Sequence, residues 1–269
     1  QVYYDYFHRA RDYYLKRNAA QTQTKSRRRN KQTSVVNLRR DLELDALSEI
    51  LYQKRFITCH SYVQSEVNML MHVADSMAFT VNTFTHILEG YKVADKMKEH
   101  GAGGSTFSDW WAYKYEVREA TPYNAALMSE QGITVAINSD DAEMGRRLNQ
   151  EAAKGVKYGG MTEEEAWKMI TLNPAKLLRL DDKMGSVEVG KDADIVIWND
   201  NPLSIYAKAE KTFVDGVRYF DLEKDVRLRD EIRTERARLI QKMLKKSGGK
   251  GASPELKEKH RYHCDHIGP

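Results

Sequence analysis

The chain has 269 residues, 41% hydrophobic, 30% charged and 10% aromatic. That is the make-up of a folded chain with ample length for one domain or two small ones. Its 16 glycines and 5 prolines exclude a collagen-like or Pro-rich scaffold, and 2 cysteines, Cys59 and Cys264, exclude a disulfide framework. A net charge of +4 does not by itself demand a nucleic-acid partner, and no apolar run approaches the roughly 18 to 20 residues that cross a bilayer.

Tyr3, Tyr4, Phe7, Ala10, Tyr13 and Tyr14 fall mostly three or four apart and predict an amphipathic helix over Gln1 to Lys16 with a wide aromatic face. The chain opens on Gln1 already within this pattern, so a native N-terminal extension is expected and the compartment stays open between cytoplasm and periplasm. Arg17 to Asn37 is polar, with Lys25, Arg27, Arg28, Arg29 and Lys31 close together, and reads as a mobile surface loop. From Asp41 the pattern turns regular. Leu42, Ala46, Leu47, Ile50 and Leu51 make a helical stripe, and the apolar run Phe56 to Cys59 ends in His60. A helix over Ser65 to Ala78 follows, then a strand over Val81 to Thr85 that ends in His86. Helical spacing returns from Lys92 to His100, a short strand is expected within Gly101 to Phe107, and Tyr123 to Gln131 is helical. The β-branched run Ile133 to Ile137 ends at Asn138-Ser139-Asp140-Asp141. Helices are expected from about Met144 to Tyr158 and over Thr162 to Leu172, the second opened by a Thr162/Glu165 capping box. Strands alternating with helices over short connections predict a parallel sheet covered by helices.

After Pro174 the texture changes. Met184 to Asp194 reads as turn, short strand, turn; Ile195 to Trp198 as a strand; Thr212 to Phe220 as a hairpin turning at Asp215-Gly216. So small a β element cannot bury a core of its own. Leu222 to Lys246 reads as a charged helix lying on the surface or touching a partner, followed by a Gly/Lys-rich tail with His260, His263, Cys264 and His266.

Three residues stand at successive strand ends: His60, His86 and Asp140. In parallel α/β barrels functional groups gather where strands pass into the following loops, and two imidazoles with a carboxylate suit a divalent metal that keeps a position open to water. Singly, each is as well explained by a satisfied loop histidine or a helix cap. Glu89 and Tyr91, just beyond His86, are candidates for the site or the surface. Trp110 and Trp111 fit a substrate pocket or a buried contact, Asp141 fits a helix cap more readily than a substrate-orienting role, and His72 and His100 fit solvent-facing positions.

Cys59-His60-Ser61, Thr85-His86, Asn138-Ser139-Asp140, Thr171 to Leu178, Gly185-Ser186-Val187 and Gly190 to Asp194 together resemble the C-terminal half of a metal-dependent amidohydrolase, nearest its imidazolonepropionase-like and peptide-hydrolysing branches. The resemblance runs from about Leu42 to Asp221. It implies an α/β fold: the C-terminal half of a (β/α)8 barrel over residues 41–182 and part of a small β-sandwich over 183–221. The aromatic helix and basic loop (1–40) and the helical tail (222–269) lie outside it. It further implies one or two divalent metals, most often zinc. His60, His86 and Asp140 would be ligands, or in a one-metal site one histidine would ligate and the other polarise substrate. Asp140 would take the proton of the attacking water. The implied reaction is hydrolysis of an amide or cyclic-amide C–N bond in a small molecule or peptide. The family's first-strand His-x-His pair is nowhere in the sequence, nor are its first four strands. A complementary N-terminal half is therefore expected, in the same native chain or another, with this chain inactive alone and a homo-oligomer allowed. The competing reading is a non-catalytic amidohydrolase-like scaffold or partner-binding subunit.

Overall fold

The computed structural model describes residues 1–27, 39–110 and 112–246. Helix α1 (Val2–Arg27) turns Phe7, Ala10 and Tyr13 inward, three residues apart on one face. Phe7 packs on Phe79 with ring centroids 4.6 Å apart, and the Arg11 guanidinium donates to the Met77 carbonyl at 3.0 Å. The helix runs on past Lys16, where a mobile loop was expected. Arg17 is drawn into an ion pair with Asp45 of α2 (Leu42–Leu51), and Tyr13 donates to the same carboxylate at 3.1 Å, so the first turns beyond Lys16 are anchored rather than free. The hydrogen bond from Arg40, with help from Arg17, holds the Asp45 carboxyl below its ordinary range despite burial. Lys25 and Arg27 lie within α1; Arg28, Arg29 and Lys31 lie outside the described residues.

The next stretch repeats strand and helix: β1 (Thr58–His60), α3 (Gln64–Met77), β2 (Thr83–Thr85), α4 (Ala94–His100), β3 (Gly103–Thr106), α5 (Asn124–Glu130) and β4 (Val135–Ile137). The four strands form one parallel sheet in the order β1-β2-β3-β4, each strand beside its sequence neighbour. Parallel strands need a crossover, and α3, α4 and α5 supply it. Val67, Leu70, Met71, Ala74 and Met77 from α3, with Phe84, Met97, Met128, Val135 and Ile137, make the core. At β1 the side chains of Thr58 and His60 are exposed, so this side of the sheet is open.

Two expected helices each come as a pair. Asp141 caps α6 (Ala142–Gly145), accepting from the Glu143 and Met144 amides at 2.9 and 3.0 Å. The chain breaks at Arg146-Arg147, just past Gly145, before α7 (Leu148–Gly159). The capping box opens α8 (Glu163–Lys168) as expected, but that helix stops short of α9 (Leu172–Leu177) because Thr171 leaves helical geometry. Gly185 then carries the chain over α9 at φ +93°. A Cβ there would come within 2.7 Å of Ala175 Cβ and 3.1 Å of Leu172 Cα, so only glycine fits.

No strand forms at Val187 to Val189: both valines are fully exposed and no neighbouring strand meets them among the described residues. Instead β5 (Ile195–Trp198), β6 (Ala209–Val214) and β7 (Val217–Asp221) make a three-stranded antiparallel sheet. The β6–β7 hairpin turns at Asp215 (φ +50°) and Gly216 (φ +75°), the pair of positive angles a two-residue type I′ turn requires. Helix α10 (Leu222–Lys246) leaves directly from β7 and buries none of its residues. Among the described residues no helix is long and apolar enough to cross a membrane.

Candidate active site

Because the four strands run parallel, their C-terminal ends share one edge of the sheet. His60 is the last residue of β1, His86 follows β2, and Asp140 stands three residues beyond β4. The ladder continues briefly past the strands: the Ser61 amide donates to Thr85 O at 3.0 Å, Ile87 to Ser105 O at 3.1 Å and Asn138 to Thr106 O at 3.0 Å. These bonds fix the backbone from which the three side chains project. At His86 φ is +63°, a left-handed angle uncommon outside glycine, which bends the chain sharply at the end of β2.

The structure brings two of the three pairs into contact. The His60 and His86 rings lie 4.5 Å apart between centroids, and His86 Nε2 is 3.6 Å from Asp140 Oδ1. On its other side His86 Nδ1 accepts from the Asn138 side-chain amide at 3.0 Å, while the Asn138 carbonyl accepts from Ser105 Oγ. Such bonding places the imidazole proton on Nε2, facing Asp140. Burial pushes the His86 pKa down against the upward pull of Asp140, and the charges of His60 and Lys114 add to the lowering. His60 is exposed and its ring meets only other rings, His86 and Tyr62, with no hydrogen bond among the described residues. Ser61 Oγ beside it is buried without a hydrogen-bond partner among the described residues.

An aromatic wall flanks the histidines. His86 stacks on Phe107 (4.9 Å), Phe107 on Trp110 (4.5 Å), and Trp110 meets Tyr113 edge-on at 5.7 Å. Tyr62 meets His60 edge-on at 5.0 Å and carries the Lys114 ammonium 3.9 Å above its ring. A cavity of about 860 Å³ lies beyond this wall, between α7 and residues 201–205; Trp110 lines it, but His60, His86 and Asp140 do not. Trp111 and the tail residues His260, His263, Cys264 and His266 lie outside the described residues.

Other expected roles change. Glu89 is neither in the site nor on the surface. It is 3% exposed, accepts from the Gln64 amide at the start of α3 (3.0 Å) and pairs with Lys92 at 3.4 Å. Tyr91 is held away from the histidines, its hydroxyl donating to Glu119 O at 3.0 Å. His100 is buried, not solvent-facing: Nε2 accepts from the Val81 amide at 3.0 Å and Nδ1 pairs with Asp75, so it clamps the entry to β2. His72 is exposed, as expected. Sequence reasoning missed Asn124, which is 1% exposed, accepts from the Tyr91 amide and donates to Ile87 O (2.8 Å) and Thr106 Oγ1 (2.9 Å). It ties the loop after His86 to β3. An Asn at the first turn of a helix carries no sequence signal for that task.

Imidazole and carboxylate are donor types that zinc accepts. Among the described residues, however, no three His, Cys, Asp or Glu side chains are arranged to hold a metal ion. The donor chemistry fits; the set among the described residues is short.

The model described as "Amidohydrolase family" matches residues 58–219, more than half of the chain. The chain belongs to the amidohydrolase family. It is 28% identical over 186 residues to the amidohydrolase tasK of Hapsidospora irregularis, which covers 67% of this chain and 19% of that protein. It is 30% identical over 172 residues to an imidazolonepropionase of Thermoplasma volcanium, covering 61% and 42%. An amidohydrolase from Thermotoga maritima MSB8 superposes with a TM-score of 0.70 at 26% identity, over 82% of this chain and 55% of that one. This amidohydrolase chain therefore spans under two thirds of the length of each of these relatives.

Proposed function

We propose that this chain supplies the C-terminal half of a (β/α)8 amidohydrolase barrel that hydrolyses an amide or cyclic-amide C–N bond with the help of a divalent metal, most often zinc. The observation that carries the reading is the meeting of His60, His86 and Asp140, from the ends of β1, β2 and β4, at one edge of the sheet. Residues 41–182 would form the half-barrel and 183–221 part of a small β-sandwich. Support comes from the open β1 side of the sheet and from the fraction of the Thermotoga maritima amidohydrolase that the chain spans. An unpaired parallel edge is a liability until other strands cover it, so a complementary half, covalent or bound, belongs to the same proposal.

His60 and Asp140 would hold the metal, completed by donors from the other half. Such an ion, when bound, makes water acidic enough to attack at neutral pH. His86 suits the second role in a one-metal site better than a ligand's: Asn138 occupies Nδ1, and Nε2–H is free to donate to the substrate carbonyl oxygen as it gains negative charge. Asp140, half exposed beside it, takes a proton from the attacking water and delivers it to the leaving nitrogen.

Metal analysis of the full-length protein tests the proposal: a stoichiometric divalent metal is expected, with most of it lost in His60→Ala. Unchanged metal content in His60→Ala would remove the ligand assignment. The absence of a three-donor group among the described residues favours the alternative, a non-catalytic scaffold. A full-length protein that binds no metal would establish that alternative instead.

A further inference from the structure

Lys114 sits on the loop between β3 and α5, at the same edge of the sheet as His60, His86 and Asp140. Its ammonium lies 3.9 Å above the Tyr62 ring and 5.5 Å from that of Tyr113. Tyr62 in turn touches His60 edge-on and lies 6.4 Å from His86. A lysine on a protein surface ordinarily finds a carboxylate or swings into water. Here two tyrosines hold the ammonium against the site wall, and among the described residues it has no ion pair; Glu116 acts on it only through the field. The nearness of Tyr62 raises the Lys114 pKa, so it stays charged, and that charge is felt at His86. An ammonium offers three donors, and no carboxylate takes one of them here among the described residues. The result is a fixed cation with donors to spare beside a wall formed by Tyr62, Trp110 and Tyr113.

We infer that Lys114 is the anchor for a substrate carboxylate, so that the amide cleaved at His60, His86 and Asp140 belongs to an N-acyl amino acid or similar small acid whose apolar side chain rests on the aromatic wall. This rests on the hydrolase reading for the word substrate, but the binding step does not. A charge-assisted hydrogen bond from a held ammonium discriminates a carboxylate from its neutral amide. The aromatic wall adds affinity common to both.

The test is calorimetric titration of the full-length protein, stripped of metal by a chelator, with N-acetyl-L-phenylalanine and with N-acetyl-L-phenylalaninamide. The acid is expected to bind about tenfold tighter or more at low salt. Lys114→Met should bring the two affinities together, and Lys114→Arg should retain most of the difference. Equal affinity in the wild type, no binding of the acid, a preference that survives Lys114→Met, or a Lys114→Met variant that weakens both probes alike each overturns the inference. Because the measurement uses metal-free protein, its result is independent of whether His60→Ala loses metal, and the two proposals fail separately.

Discussion

The two sheets of this chain are built from similar apolar residues and meet opposite surroundings. Phe84 in β2, Val135 and Ile137 in β4 are all but sealed from solvent. Ile195, Val196 and Ile197 in β5 expose 36%, 40% and 43% of their surface, and no residue beyond Ala175 is buried among those described. The parallel sheet is covered because each crossover lays a helix across it. In the antiparallel sheet β6 and β7 are joined by a tight turn and β5 reaches β6 through residues 199–208 without a helix, so neither connection brings a covering layer, and α10, though it touches β6 and β7, buries none of its residues. Three successive apolar residues, all partly exposed, mark a strand whose two faces both await cover. Connection type, more than hydrophobicity, decides which region is self-sufficient.

The contrast can be broken most directly in the two sheets themselves. Phe84→Ala is expected to cost about 3 to 5 kcal/mol in urea unfolding, the range for emptying a buried aromatic site. Val196→Ala should cost below about 1 kcal/mol, because less of its surface was ever removed from water. Equal costs would mean that the antiparallel sheet is covered after all. Next in size is Gly185→Ala at the junction of the regions, where a left-handed backbone angle and the contact with Leu172 Cα combine to cost about 1 to 3 kcal/mol by the same measurement. Smallest is Leu239→Ser on α10, expected within about 0.5 kcal/mol of wild type, since that side chain is already exposed. A larger loss there would show that α10 is buried in the working protein.

Strands β1, β2, β4 and β5 were legible because each lies in a short apolar run, whereas β3, Gly-Gly-Ser-Thr, was expected only from its place between helices; His60, His86 and Asp140 were legible because they close or follow such runs. The α6–α7 break was not, since Arg146 and Arg147 are ordinary helix residues and only the preceding Gly145 hints at an interruption. The valines at 187 and 189 read as a strand because alternation is local, whereas a strand needs a partner, and none of the described residues brings one to them. The burial of His100 and Glu89 was invisible because each is fixed by a distant backbone amide, from Val81 and Gln64, and side-chain type alone does not announce such a bond. Asn138 was marked only as part of the Asn138-Ser139-Asp140 motif and Lys114 not at all, because their importance lies in the side chains the fold sets beside them.

Gly185 and Gly190 share a positive φ and differ in everything around them. At the first, an added Cβ would meet Ala175 Cβ, Leu172 Cα and the Thr171 carbonyl oxygen at 2.7, 3.1 and 3.1 Å; at the second it would meet nothing within 4 Å. The open position is nonetheless bridged: the Asp192 amide donates to the Lys183 carbonyl at 2.8 Å across it, and Trp198 of β5 meets Trp167 of α8 edge-on at 6.3 Å. The antiparallel sheet is therefore moored to the helical region at two points, so room for a side chain at Gly190 does not make that residue a free pivot.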